Sequence, residues 1–209
     1  MSTTSDTPRV MVVVPQYPHP VVGGLERQAH ELAKALIEEG VDLQVISGVV
    51  GAGRAGDETV EGVPVHRLPW SRKKTLRFLR TPFDLFRVLY AKRNTYDVIH
   101  LHQHSWFGLY TIICAKCLRK PILTKLPSAG TQGVSALRNE TLGRLKLAIL
   151  LRSDALVSMS EVSNSELEEA GFPAERTLAT PNGIRLEPAQ TRTGPSCRQG
   201  DICRVVFVG

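Results

Sequence analysis

The chain has 209 residues, of which 42% are hydrophobic and 22% are charged. These proportions predict one sizeable folded domain and exclude global disorder. The start, "MSTTSDTPR", lacks the basic and apolar regions of a secretory signal. No apolar run approaches the ~20 residues that span a bilayer. Four cysteines at irregular spacing make no disulfide framework, so we expect a cytoplasmic protein.

The formal net charge of +6 is concentrated in one segment. Residues 66–93 contain nine Lys or Arg and one acid, a local charge of +8, which leaves −2 for the rest of the chain. No recognisable nucleic-acid-binding module accompanies this basic segment. We therefore expect no nucleic-acid partner.

Short apolar runs alternate with helical patterns along the chain. The first run, "RVMVVV" (9–14), is typical of a strand buried on both faces of a parallel sheet. After Gly23 and Gly24, apolar residues recur at helical spacing as far as Gly40, a natural helix C-cap. The later strands are predicted at "VDLQVISG" (41–48), "VPVHRL" (63–68), "YDVIHLH" (96–102), "PILTKLP" (121–127), "DALVSMS" (154–160) and "RTLATPNG" (176–183).

Further helices are predicted through "GLYTIICAKCLRK" (108–120), near 140–152 and near 161–170. Loops are predicted at 52–58 and at "SAGTQGVSALRNE" (128–140). Strand and helix alternate about six times, which predicts an α/β fold with a Rossmann-like, doubly wound parallel sheet. Ligands bind such sheets at the carboxyl ends of the strands. The unusual residues at those ends are Gly23, Gly24, His102, His104, Lys125, Ser128, Ser160 and Glu161.

Two interpretations are open for Gly23 and Gly24, which stand between a predicted strand and a predicted helix. Bare backbone amides at the positive end of a helix dipole can hold a phosphate, and side chains would obstruct its approach. The alternative is a flexible turn through which a long loop enters the helix. The spacing matches neither the GxGxxG fingerprint nor a Walker loop.

His100, His102 and His104 alternate along one predicted strand and its end. A catalytic zinc would need a further ligand and a positioned water, so we expect no metal. His102 or His104 is better suited to a polar contact with a ligand. Cys114 and Cys117 lie within a helical apolar run and not at a helix N-terminus, which favours buried packing over redox chemistry.

The basic segment alternates cations with aromatic and apolar residues, most densely over residues 70–93. Such stretches lie in anionic bilayer interfaces, where each cation contributes ~1 kcal/mol near the surface. The alternative is an ordinary helix packed on the sheet with a solvated basic face. Both interpretations are open at the level of sequence.

Five segments, taken in order, resemble the N-terminal half of GT-B glycosyltransferases, and most closely the large retaining group that uses nucleotide-activated sugars. The resemblance covers nearly the whole chain from residue 9. Each motif alone is weak, but five in the correct order and spacing are specific. The segments are "VMVVVPQYPHPVVGGLERQAHELAKALIEEG", "DVIHLHQ", "SDALVSMSE", "ELEEAGFPAERTLATPNGI" and "VVFVG".

The resemblance implies a domain that binds mainly the acceptor and faces a second domain across a cleft. It implies that the tight turn at Gly23 and Gly24 lets their backbone amides approach the donor diphosphate. Lys125 departs from the family, because many relatives carry a histidine at this position. We keep Lys125 and His102 as candidate catalytic residues with open roles. The candidate acceptor or sugar contacts are Gln103, His104, Ser128, Ser160, Glu161 and Asn182.

The resemblance also implies the domain boundaries. Residues 1–8 are expected to be a disordered N-terminus, and 9–183 the acceptor-side domain that ends at the "PNG" motif. An interdomain linker at 184–202 then precedes the first strand, at 203–209, of a truncated C-terminal domain. That missing domain carries the paired glutamates and cations that bind the nucleotide sugar in the family.

Three functions follow from this reasoning. The first is a cytoplasmic glycosyltransferase, or its acceptor-side half, that moves a sugar from a nucleotide sugar to an alcohol acceptor without a cofactor. The basic segment favours a lipid-linked acceptor and peripheral attachment to an anionic membrane. The second is a catalytically incomplete module that needs a partner chain. The third is an unrelated Rossmann-like nucleotide-binding protein, which binding of NAD in preference to UDP or GDP would favour.

We predict that the isolated 209-residue chain transfers sugar poorly or not at all. Stabilisation of the leaving group by positioned cations is usually a dominant catalytic term, and in the family those cations lie in the second domain. An assay of the isolated chain with a panel of nucleotide sugars tests this. Ordinary turnover would contradict it.

Overall fold

The computed structural model describes residues 7–18, 23–48, 55–69, 74–126 and 133–183, with only the backbone at 74–78. Its strands are β1 (Val10–Val14), β2 (Leu43–Gly48), β3 (Gly56–Val60), β4 (Val63–Leu68), β5 (Val98–His102), β6 (Ile122–Lys125), β7 (Ala155–Ser158) and β8 (Thr177–Ala179). Its helices are α1 (Gly24–Glu38), α2 (Lys74–Ala91), α3 (Trp106–Cys117), α4 (Val134–Leu137), α5 (Gly143–Leu150) and α6 (Glu161–Glu169), with a 3-10 turn at Ala174–Arg176.

The eight strands form one sheet in the order β3-β4-β2-β1-β5-β6-β7-β8. Every pairing is parallel except that of β3 with β4 at one edge. The chain order moves outward in both directions from β1, so the sheet is doubly wound. The predicted α/β class and Rossmann-like sheet are confirmed.

Helices cover both faces of the sheet. The valines of β1 alternate between the faces, and Met11, Val12, Val13 and Val14 are at most 1% exposed. On one face Val12 and Val14 pack with Ala29 and Ala33 of α1. On the other face Met11 and Val13 belong to a larger cluster to which α2, α3, α4, α5 and α6 all contribute. In the part of the chain that the structure describes, no helix is long and apolar enough to cross a bilayer.

Two expectations about loops were wrong. The predicted loop at 52–58 includes the start of β3, a mostly exposed antiparallel strand. Glu61 and Gly62 join β3 to β4 with positive φ values of 46° and 87°, the geometry of a tight hairpin turn. The predicted loop at 128–140 contains the short helix α4, whose Val134 and Leu137 are buried.

The other predicted strands and helices are confirmed, with bounds that differ by a few residues: β5 begins at Val98 and not at residue 96, and α3 begins at Trp106 and not at residue 108. Gly40 follows α1 with φ 83°, which is the left-handed residue expected after a helix. Cys114 is buried, and burial raises the pKa of its thiol to about 12. Cys117 is exposed at the end of α3.

Several predictions lie outside the described residues. They concern Ser128, the first part of the basic segment at 70–73, the linker at 184–202 and the strand at 203–209. Most of the N-terminal segment 1–8 also lies outside them.

Candidate functional site

The carboxyl ends of β1, β5 and β6 lie side by side at one edge of the sheet. In the register of the strands, Val13 is opposite Leu101, and His102 is opposite Lys125. Because β5 and β6 are parallel neighbours, the side chains of His102 and Lys125 point to the same face. That face is the one covered by α1. The structure therefore brings His102, Lys125 and the start of α1 to one place.

Lys125 links β6 to α1. Its side chain is 5% exposed, and its ammonium donates a hydrogen bond of 2.7 Å to Oε1 of Gln28. Burial lowers the pKa of Lys125 below its ordinary value of 10.5. Among the described residues this buried cation has one neutral acceptor and no carboxylate partner, which is costly to stability, so its charge remains available to an anion.

Gln28 is the site residue that sequence reasoning missed. It lies four residues after Gly24, on the same side of α1. A glutamine on the partly polar face of a helix carries no distinctive signal. Only its helical spacing from the Gly-Gly turn could have suggested it.

His102 is fully buried beside Lys125. Its ring lies 4.4 Å from that of His100, centroid to centroid. Burial lowers the pKa of His100 to about 4 and that of His102 well below its ordinary value, so both rings are neutral at pH 7. Neither ring nitrogen of His102 has a hydrogen-bond partner among the described residues. A neutral imidazole with an open donor and acceptor can orient a polar ligand or a water.

Gln103 turns the chain sharply at the end of β5. Its φ is 89°, an uncommon value for a residue with a side chain. Gly108 of α3 packs so closely against this turn that a Cβ on Gly108 would collide with the carbonyl oxygen of Gln103. His104 follows, and burial lowers the pKa of its imidazole. Backbone strain of this kind clusters at functional sites.

The N-terminus of α1 has no side-chain cap. Its first amides lack intrahelical acceptors and carry the positive end of the helix dipole. A Cβ on Gly24 would have no heavy atom within 4 Å, so neither packing nor φ requires glycine there. A Cβ on Gly23 would meet only the carboxylate end of Glu26, which curls back over the turn. No heavy atom of the described residues occupies the space that a Cβ on Gly24 would face.

The remaining predicted contacts lie farther along the same edge. Ser160 is exposed and caps α6, since its Oγ accepts a hydrogen bond of 3.2 Å from the amide of Ser163. Glu161 is exposed in the first turn of α6, and Asn182 is exposed after β8. Ser160 and Glu161 follow β7, and Asn182 follows β8, the next strand of the sheet; all three stay predictions as ligand contacts. Within the described ranges, no group of three or more His, Cys, Asp or Glu could hold a metal ion.

The comparisons with known proteins show the family of the chain. The model of the glycosyl transferase 4-like domain matches residues 23–183, so the chain belongs to that family. It is 26% identical over 219 aligned residues to a glycogen synthase of Mycobacterium tuberculosis, covering 90% of this chain and 52% of the relative. The chain therefore spans about half the length of the curated relatives that it matches.

Two solved structures show the same fold. A structure of Anabaena HepE in complex with UDP and glucose has a TM-score of 0.59 at 17% identity, covering 85% of this chain and 45% of HepE. A UDP-GlcNAc 2-epimerase from Methanocaldococcus jannaschii has a TM-score of 0.56 at 14% identity, covering 82% and 45%. With the family match, these likenesses identify the N-terminal domain of a GT-B glycosyltransferase.

We predict that Lys125→Met raises the free energy of unfolding at pH 7 by ~1 kcal/mol, because an apolar chain replaces a buried cation. The folded pKa of Lys125 lies below its unfolded value. Between the two pKa values the unfolded state binds more protons, so the wild type gains stability as the pH rises. The difference in free energy of unfolding between Lys125→Met and the wild type should therefore shrink towards pH 10.5.

Denaturant titrations of both proteins between pH 7 and 10 measure this. Lys120→Met is the matched control: its ammonium bonds the Tyr96 carbonyl at 2.7 Å and lies over the Tyr96 ring, so its loss should destabilise the fold. A Lys125→Met protein less stable than the wild type at pH 7 would contradict the prediction.

Proposed function

We propose that this chain is the acceptor-side half of a glycosyltransferase that moves a sugar, with retention, from a nucleotide sugar to an alcohol acceptor. One observation carries the proposal. The buried ammonium of Lys125 bonds Gln28, one turn from the uncapped N-terminus of α1 at Gly23 and Gly24. A fixed positive charge and a set of open amides thus stand together at the carboxyl edge of the sheet.

The chemistry of sugar transfer explains why such a place is useful. As the glycosidic bond to the donor breaks, negative charge develops on the leaving diphosphate. Preorganised amides, a helix N-terminus and a buried cation stabilise that charge without reorganising. Gly23 and Gly24 allow the backbone amides to approach the diphosphate closely, and Lys125 supplies positive charge behind these amides. No metal or cofactor is needed in this scheme.

The acceptor is proposed to bind beyond β5, where the strained Gln103 and the neutral His102 and His104 lie. An open imidazole nitrogen can orient an acceptor hydroxyl. Ser128, Ser160, Glu161 and Asn182 stay predictions as sugar contacts at the rim. The domain is proposed to end at Asn182 and Gly183, and the rest of the donor site to come from a second domain after the 184–202 linker.

A lipid-linked acceptor is the finer proposal, and the outer face of α2 supports it. This face is the stripe Leu79, Phe83, Phe86 and Tyr90, whose residues are 69%, 68%, 38% and 49% exposed. The exposed cations Arg80 and Arg87 lie on the same helix, and the Arg93 guanidinium lies 4.1 Å from the Tyr90 ring centroid.

The composition of this face fits an anionic bilayer interface better than bulk water. The helix follows β4 and runs back along the sheet, so its N-terminal half lies towards the carboxyl edge, where the site is. An enzyme attached there would present its site near the lipid surface. The proposed location is therefore cytoplasmic and peripheral on the inner membrane face.

We predict that Gly24→Ala raises the donor KM at least about tenfold in the complete natural protein, because the new methyl group enters the space of the diphosphate. Stability should be unchanged or slightly higher, since alanine favours a helix by up to ~1 kcal/mol over glycine. Steady-state kinetics and thermal unfolding measure the two effects. Glu39→Ala, at the other end of α1, is the control. An unchanged donor KM would contradict the phosphate role of the turn.

We predict that the protein floats with vesicles that contain anionic lipid, at low salt and less at high salt, because the attraction is partly electrostatic. The double variant Leu79→Ser and Phe83→Ser should bind about tenfold more weakly, since each loses an apolar contact with the bilayer. Leu178→Ser removes an exposed apolar residue from β8, 47% exposed, and is the control. Absence of flotation even at low salt would exclude the membrane proposal.

A further inference from the structure

The loop between β1 and α1 is anchored at its start by a buried arginine from β4. The Arg67 guanidinium donates hydrogen bonds of 2.8 Å to the carbonyl of Tyr17 and 2.7 Å to that of Pro18. Its Nε–H donates to Glu58 of β3 at 2.6 Å. Arg67 is 5% exposed. A planar fork of donors can hold two successive carbonyls and a carboxylate at once, which an ammonium cannot.

The Tyr17 side chain is held as firmly as its backbone. Its hydroxyl lies 2.9 Å from Nδ1 of His30, and Nε2 of His30 lies 3.2 Å from the carboxylate of Glu61. A carboxylate only accepts, so Nε2–H of His30 donates to Glu61. In the neutral imidazole Nδ1 then accepts from the Tyr17 hydroxyl, whose pKa burial raises. Lys34 also donates to Glu61, at 3.0 Å.

These contacts connect three elements: the start of the loop, α1 and the β3–β4 hairpin. Glu61 reaches His30 because the hairpin turn has the positive φ values that a tight turn requires. The loop start and α1 are thus fixed to a common support on both sides of the Gly23–Gly24 turn. None of these side chains reaches the open space in front of Gly24.

We propose that Arg67, Tyr17 and His30 are positioning residues for donor binding: they hold the β1–α1 loop so that the amides of Gly23 and Gly24 face the diphosphate. This inference rests on the proposed function. The amides bind an anion only if the loop start and the helix N-terminus keep a fixed separation. The β3–β4 hairpin contacts both the loop start and α1 and so fixes their separation. This gives the hairpin a role in donor affinity.

The test uses Arg67→Lys and Tyr17→Phe in the complete natural protein. The lysine spans fewer of the three acceptors, and the phenylalanine keeps the buried ring but loses the hydroxyl. Amide hydrogen exchange followed by mass spectrometry, without ligand, should be up to about tenfold faster in peptides covering 23–30, the N-terminal half of α1, and unchanged in β5 to β8. The donor KM should rise several-fold while the acceptor KM stays constant.

Arg9→Lys is the control. It weakens an ion pair with Asp97 at the amino ends of β1 and β5, far from the proposed site, and should change neither readout. Unchanged exchange in 23–30 for both variants would overturn the anchoring. Exchange that rises throughout the sheet, or equal changes in both KM values, would show a merely structural role and overturn the positioning. If the wild type transfers sugar from no nucleotide sugar, the proposed function and donor positioning fail together, and hydrogen exchange still decides whether the loop is anchored.

Discussion

The parallel pairing of β1 with β2 and β5 is the constraint on which the rest of the molecule depends. A strand paired on both sides and covered on both faces favours apolar residues, and "VMVVV" fits that preference. The seven parallel strands have their carboxyl ends at the same end of the sheet. His102, Gln103 and Lys125 lie together at that end. The candidate site is a consequence of this topology.

Several groups that cost stability lie together in the candidate site. The Lys125 ammonium has a neutral partner, the His102 ring has no partner among the described residues, and Gln103 has a strained backbone. Each costs stability, and all lie at the end of two adjacent strands. A fold optimised for stability alone would place apolar residues there. The concentration of these costs at the carboxyl edge is the physical argument that the edge binds something polar.

The sequence predicted the central strands and α1 because β-branched runs and helical spacing are strong local signals. It missed β3 because "GDETV" is a polar edge strand, whose pairing gives no hydrophobic pattern. It predicted Gly23, Gly24 and Lys125 as candidates because the glycines stand between a predicted strand and a predicted helix, and Lys125 lies near the end of a predicted strand. It missed Gln28 and the anchoring of Tyr17 by Arg67, since contacts between residues 50 positions apart depend on the folded arrangement. The residue types at strand ends can be read from a sequence, whereas the distant residues that contact and position them cannot.

The most direct test of the central claim is the position of the diphosphate in a crystal structure of the complete natural protein with its nucleotide sugar. The account predicts phosphate oxygens about 2.7–3.2 Å from the amide nitrogens at Gly23 and Gly24. It also predicts that the Glu26 carboxylate moves away from the turn that it now covers. A diphosphate bound elsewhere, with Glu26 still over the N-terminus of α1, would contradict it.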